Sequence, residues 1–203
     1  MSDIVIIDCG IGNTASVANM FRRVGHEVLV SADTEEVISA DKLVLPGVGA
    51  FDHAMHQLDK LGLVAAIGEV VEKATPILGI CLGMQLLFER SEEGQLSGLG
   101  LVPGYVKRFS FEEEKLKIPH MGWNVVHPAR NSLLFTDDEQ ELRFYHVHSY
   151  HAVCESQDDV TAVTHYGYDF TSAVERCNVM GVQFHPEKSH RFGMELIKKF
   201  TEI

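Results

Sequence analysis

The sequence predicts an α/β fold of three layers: a mostly parallel central sheet with helices on both faces, plus an antiparallel or mixed β portion in the C-terminal half. Two observations carry this expectation. In the first half, short apolar runs ending at Gly or Pro alternate with segments of helical period, the pattern of repeated βα units around a parallel sheet. After Gly98 helical windows become scarce and β-favouring stretches follow one another.

In chain order, the parallel half offers strands at Asp3–Asp8, Glu27–Ser31, Lys42–Leu45 and Pro76–Ile80. Its helices are expected at Thr14–Val24, Phe51–Lys73 and Leu82–Arg90, with Thr14 as an N-cap and Gly25 as a C-terminal stop. The second half offers strands at Tyr105–Phe109, Asn124–His127, Arg143–Tyr150, Val160–Thr164 and Val179–His185, and a last helix from about His190 to Thr201. Glu112-Glu113-Glu114 reads as a solvated loop or hairpin tip. With no repeat or linker in sight, residues 1–203 read as one domain, large enough to bury about 70% of its unfolded surface.

A net charge of -12 without clustered Lys and Arg argues against nucleic acid, where counterion release from phosphates drives binding. The start Met1-Ser2-Asp3 lacks a basic leader, and no apolar run reaches the ~18 residues of a membrane span, so a cytoplasmic protein is expected. Cysteines 9, 81, 154 and 177 show neither zinc-site spacing nor disulfide density and read as reduced thiols.

Three pieces of chemistry stand out. Gly79-Ile80-Cys81-Leu82-Gly83 follows an apolar strand and opens a helix, a cysteine version of the nucleophile elbow whose glycines permit a tight turn; a thiol at a helix N-terminus is favoured as thiolate. Acyl transfer needs oxyanion donors, and the backbone N–H of Leu82 is one; Pro46-Gly47-Val48-Gly49 ends the adjacent strand and offers Val48 or Gly49 as the second. In Gly181-Val182-Gln183-Phe184-His185-Pro186-Glu187, Pro186 biases His185 toward an extended conformation that places Glu187 beside the imidazole, giving a base and its orienter. Gln85, four residues past Cys81, lies on the same helical face and reaches toward the pocket mouth.

Other readings remain. Gly10-Ile11-Gly12-Asn13-Thr14-Ala15 satisfies a dinucleotide fingerprint, with Asp33 where a ribose-binding acid sits, but it leaves the elbow and the other glycine loop unexplained; the simpler reading is a tight βα turn. His146, His148 and His151 invite a metal, yet no carboxylate or thiol stands at ligand spacing, and neither metal nor cofactor is expected. A non-catalytic interaction domain explains the fold but not the convergence of elbow, glycine loop and His-x-Glu.

The order of glycine loop, Gly-Ile-Cys-Leu-Gly-Met-Gln elbow and Gly-Val-Gln-Phe-His-Pro-Glu resembles the class I, or triad, glutamine amidotransferases over nearly the whole chain. Within that class, Pro119-His120-Met121-Gly122-Trp123-Asn124, Val147-His148-Ser149-Tyr150 and Phe184-His185-Pro186-Glu187-Lys188-Ser189 are similar to the glutaminase subunits of imidazole glycerol phosphate synthases. The resemblance implies a γ-glutamyl thioester on Cys81, with His185 and Glu187 completing a triad, and glutamine held by Gly49, Gln85, Glu93, Ser149 and Tyr150. It also implies a separate, barrel-shaped cyclase as partner in a heterodimer, with Asn13, Met121, Trp123 and Lys188 near that interface. His146 departs from the pattern, which has an aromatic residue beside Val147.

Overall fold

The computed structural model describes residues 4–111, 116–129, 132–135 and 141–203; the expectations for Asp3 and for Glu112–Glu114 lie outside them. The first half runs β1 (Ile4–Ile7), α1 (Thr14–Arg23), β2 (Val28–Ser31), α2 (Thr34–Ile38), β3 (Lys42–Gly47), α3 (Phe51–Lys60), α4 (Leu63–Glu72), β4 (Ile77–Cys81) and α5 (Leu82–Leu86). The second runs β5 (Phe88–Ser91), β6 (Val102–Arg108), β7 (His120–Pro128), β8 (Leu142–His148), β9 (Tyr150–Cys154), β10 (Val160–Tyr166), β11 (Tyr168–Arg176), β12 (Val179–Val182) and α6 (His190–Glu202).

Among the described residues these strands form one sheet in the order β2-β1-β3-β4-β12-β11-β10-β7-β8, with β5, β6 and β9 attached through β9 to β11. The first five strands are parallel. β11 runs against β12 and opens the antiparallel half. Alternation along the parallel strands feeds two separate cores. Val5, Ile7, Leu43 and Leu45 face the layer of α2, α3, α4 and α5, while Ile4, Ile6, Val44 and Ile80 face α1 and α6. Phe51 and Leu58 anchor the first layer, and Phe21 and Phe200, packed edge to face, anchor the second.

Several expected elements have different bounds. The helix expected at Phe51–Lys73 is two helices, because Gly62 adopts a left-handed conformation (φ 72°) that ends one and starts the next. The helix expected at Leu82–Arg90 stops at Leu86, and Phe88–Ser91 instead pairs with β6. Asn13, not Thr14, caps α1, its side chain accepting from the Ser16 N–H. The strand expected at Arg143–Tyr150 breaks at Ser149, where the chain leaves β7 and pairs as β9 with β6. Strand β11 and the short α2 were not expected from the sequence.

Candidate active site

Sheet register assembles the site. β4 lies between β3 and β12, pairing Gly47 with Cys81 on one side and Val182 with Ile80 on the other. The glycine loop after β3 and the His185 segment after β12 therefore flank the cysteine. Cys81 has φ 56° and ψ -109°, a conformation disfavoured for a side chain bearing a Cβ and stored at functional turns at a cost of about 1–3 kcal/mol. The surrounding backbone is too close for anything but glycine: a Cβ on Gly83 would lie 1.8 Å from the Leu45 carbonyl oxygen, and one on Gly79 would lie 2.7 Å from that of Gly83. With five residues, α5 carries less macrodipole than the longer helix expected, which leaves activation of the thiol to a neighbouring side chain if it is to act as a nucleophile.

His185 is the side chain placed to supply it. Its Nδ1 bonds Glu187 Oε1 at 2.7 Å, with both side chains buried. His185 is extended as expected (φ -105°, ψ 96°), but the chain turns directly after it, and the 3-10 turn Pro186–Lys188 brings Glu187 beside the ring. Burial opposes charge on the ring, but the Cys81 and Glu187 side chains, each by hydrogen bonding and by charge, outweigh it and push the His185 pKa up to about 9. The Cys81 contact is loose, since Nε2 has no partner in full hydrogen-bond geometry, as is common before substrate tightens a site. Ser189 clasps the segment: its hydroxyl donates to the His185 carbonyl (2.6 Å) and accepts from the Tyr145 N–H (3.0 Å).

Cys81 opens onto a cavity of about 340 Å³ whose lining includes Val48, Gly49, Leu82, Gln85, Glu93, Ser149, Tyr150, His185 and Lys188. Gln85 donates from Nε2 to the Tyr150 carbonyl and to Gln183 Oε1, both at 3.1 Å. Glu93 accepts the Phe51 N–H at 2.9 Å. The Val48 N–H does not face this cavity as an open donor: it bonds the Ile11 carbonyl at 2.5 Å, because the β1–α1 loop packs against the glycine loop. Leu82 opens α5, and Gly49 takes φ 104°, a conformation natural only to glycine.

Two buried residues near Cys81 were not singled out from sequence. Gln183, besides holding Gln85, directs Nε2 at Cys81 Sγ (3.9 Å), and Ser189 makes the clasp above; both sit in the motif that drew attention to His185, and that was their signal. Burial sets the other thiols apart, pushing Cys9 up to about 11 and Cys154 up to about 12, while Cys177 is exposed. On β7, Met121, paired with the cavity-lining Val147, is 62% and Trp123 46% exposed; Trp123 stacks on His190 and meets Tyr145 edge-on, and the Lys188 Nζ lies 5.7 Å from the Tyr145 ring centroid. Asn13 is exposed at the start of α1.

The dinucleotide reading loses its geometry, and the strand histidines separate. Asp33 caps α2, its carboxylate accepting from the Glu35 and Glu36 amides, and a Cβ on Gly12 would lie 3.0 Å from the Pro46 carbonyl oxygen. That makes Gly10–Ala15 a packed βα turn. His151 turns from the other strand histidines toward the Tyr168 hydroxyl (Nε2, 2.9 Å).

A thiol in a left-handed elbow facing a His–Glu pair is the arrangement of a cysteine-nucleophile acyl transferase. Residues 5–203 match the family model for glutamine amidotransferase class-I. The chain belongs to that family. Among its relatives are the imidazole glycerol phosphate synthase subunit HisH of Moorella thermoacetica, 50% identical over 100% of this chain and 96% of that protein, and HisH 2 of Pseudomonas aeruginosa, 49% identical over 98% and 99%. This amidotransferase also shares its fold with more distant structures. A glutamine amidotransferase from Thermotoga maritima superimposes with a TM-score of 0.63 at 19% identity, covering 99% of this chain and 83% of that one.

Proposed function

We propose that this amidotransferase is the glutaminase subunit of an imidazole glycerol phosphate synthase, working in histidine biosynthesis in the cytoplasm, and that it is a single domain. The observation that carries the reading is the Cys81–His185–Glu187 constellation opening onto a cavity lined by Gln85 and Glu93, in a chain matched over its full length by HisH relatives.

In the proposed cycle, His185 takes the Cys81 proton and Sγ attacks the glutamine side-chain carbonyl carbon. The N–H groups of Leu82 and Gly49 receive the oxyanion; Val48 is left out while its N–H stays bonded to Ile11. Collapse breaks the C–N bond, His185 Nε2 protonates the leaving nitrogen, and ammonia departs from a γ-glutamyl thioester. A water deprotonated by His185 then cleaves the thioester, releasing glutamate and restoring the thiol. Glu187 holds the ring and balances its charge throughout. Gln85 and Glu93, with Ser149 and Tyr150, supply acceptors and donors for the α-amino and α-carboxylate groups of glutamine.

The ammonia passes to a barrel-shaped cyclase subunit, which makes imidazole glycerol phosphate and an aminoimidazole carboxamide ribotide. Exposed Met121 and Trp123, with Lys188 beside them and Asn13 on the α1 cap, form the docking face. In the two-subunit enzyme, Cys81→Ala abolishes product formation from glutamine and leaves formation from added ammonium intact. Equal loss with both nitrogen sources overturns the role given to Cys81.

A further inference from the structure

Behind the cavity wall three imidazoles from two neighbouring strands converge. His120 on β7 pairs in register with His148 on β8, and His146 lies two residues back on the same face. All three are buried, and one nitrogen from each falls within 4.8 Å of the others. His120 Nδ1 and His146 Nδ1 both approach His148 Nε2, at 3.3 Å and 3.2 Å.

Their hydrogen bonds do not close. His148 Nδ1 lies 2.8 Å from the Tyr150 carbonyl, which only accepts, so Nδ1 carries the proton and Nε2 is a bare lone pair. Asn124 Nδ2, which only donates, meets His120 Nε2 at 3.2 Å, so the His120 proton is on Nδ1 and is donated to His148 Nε2. That one lone pair is then taken. His146 Nδ1 must either compete for it or face it lone pair to lone pair, and His146 Nε2 has no partner at all although the residue is fully buried.

We propose that His120, His146 and His148 form a binding site for one divalent transition-metal ion of the zinc class. Metal–nitrogen bonds of about 2.0–2.1 Å in a tetrahedron put ligand nitrogens about 3.3 Å apart, close to the two spacings found. His148 is already oriented as a metal ligand is, its far N–H held by a backbone carbonyl. Burial keeps all three rings neutral, the ligating state: His120 is pushed down to about 4, and His146 and His148 lie well below the usual histidine value. On binding, the His120 proton moves from Nδ1 to Nε2, and Asn124 must release that nitrogen. The fourth position goes to water or hydroxide, and the ion enters by the glutamine cavity, which His148 lines.

Titration of the chelator-treated full-length chain with Co²⁺ and Zn²⁺ tests this. One Co²⁺ per chain is expected, with ligand-field bands in the visible and no thiolate charge-transfer band, and Zn²⁺ displaces it. His146→Phe, which keeps the ring packed between Phe170 and Phe184, weakens binding by more than about 100-fold, beyond the 10–100-fold typical of losing a group that merely supports a ligand. Asn124→Asp tightens it about 10-fold, because a carboxylate accepts the relocated His120 proton. Cys81→Ser leaves it unchanged. Absence of stoichiometric binding, equal affinity in His146→Phe, weaker binding in Asn124→Asp, or loss in Cys81→Ser each overturns the proposal, the last placing the ion in the glutamine cavity. If His146→Phe does not fold, His120→Gln is read in its place with the same expected loss.

Discussion

The two halves of the sheet hold their functional groups by different means. In the parallel half the backbone does it: Cys81 is fixed by a left-handed turn into which Gly79 and Gly83 fit because they have no side chain, and Val48 and Gly49 by the register of β3 on β4. Around the antiparallel half side chains do it: Ser189 clasps His185 to β8, Gln183 holds Gln85, and three histidines crowd one point between β7 and β8. Backbone placement is rigid and intolerant, whereas side-chain placement is adjustable and titrates. Mutations in the first region should fail outright, and those in the second should give graded, pH-dependent losses.

The sharpest break is Gly83→Ala. The added methyl meets the Leu45 carbonyl oxygen at 1.8 Å with only backbone to yield, so a loss of about 3 kcal/mol or more in urea unfolding and no glutaminase activity are expected. An unchanged unfolding midpoint would show that the elbow has slack. Next is Glu187→Gln, which keeps the shape and removes the charge; kcat/KM should fall about 10²–10⁴-fold. His185 is a base whose folded pKa is raised to about 9 from 6.5, so its stabilising effect is complete below pH 6.5 and fades as pH rises through 9. Without Glu187 the alkaline limb of the pH–rate profile should move to lower pH; a limb that stays put would show that Glu187 does not act through the ring.

The histidines beyond the cavity run the other way. His120 and His151 are held down to about 4 from 6.5, so the unfolded chain takes up protons first, and stability present above pH 6.5 is lost as pH falls toward 4. Burial lowers His146 in the same direction, so His146→Phe should flatten the acid side of the urea-midpoint profile. A wild-type profile flat between pH 6.5 and 4 would refute the sign. Smallest is Trp123→Ala at the proposed docking face. Affinity for the cyclase should drop about 10-fold while the chain's own stability changes by no more than about 1 kcal/mol, and undiminished affinity in a calorimetric titration would remove Trp123 from the interface.

This division also decides what was readable. Parallel strands buried on both faces are written as short apolar runs, and turns without room for a Cβ are written as glycine, so β1, β3, β4 and the elbow were legible from residues within a few positions of one another. Gly62 was equally visible, but an isolated glycine in a helical pattern does not announce whether it interrupts or merely weakens the helix. The antiparallel half depends on pairing between distant segments. His120 joins His146 and His148 only through the β7–β8 register, and nothing local to residue 120 signals it; residue 151, nearer in sequence, points elsewhere after the break at Ser149. The commitment of the Val48 amide to Ile11 is likewise a contact between two loops, beyond the reach of either loop's own sequence.

Gln85 illustrates what a fixed neighbour does to a symmetrical-looking group. A carboxamide on a pocket wall ordinarily flips to suit whatever arrives, offering nitrogen to one ligand and oxygen to another. Here the nitrogen is tethered twice, to Tyr150 and to Gln183, and only the oxygen is left for the cavity. At this point of the wall the polarity is fixed: the free oxygen can accept from a donor such as an ammonium but has no proton to offer. In the proposed glutamine complex, an analogue whose α-amino group is replaced by a keto oxygen would lose a contact to that oxygen while keeping its amide and its carboxylate.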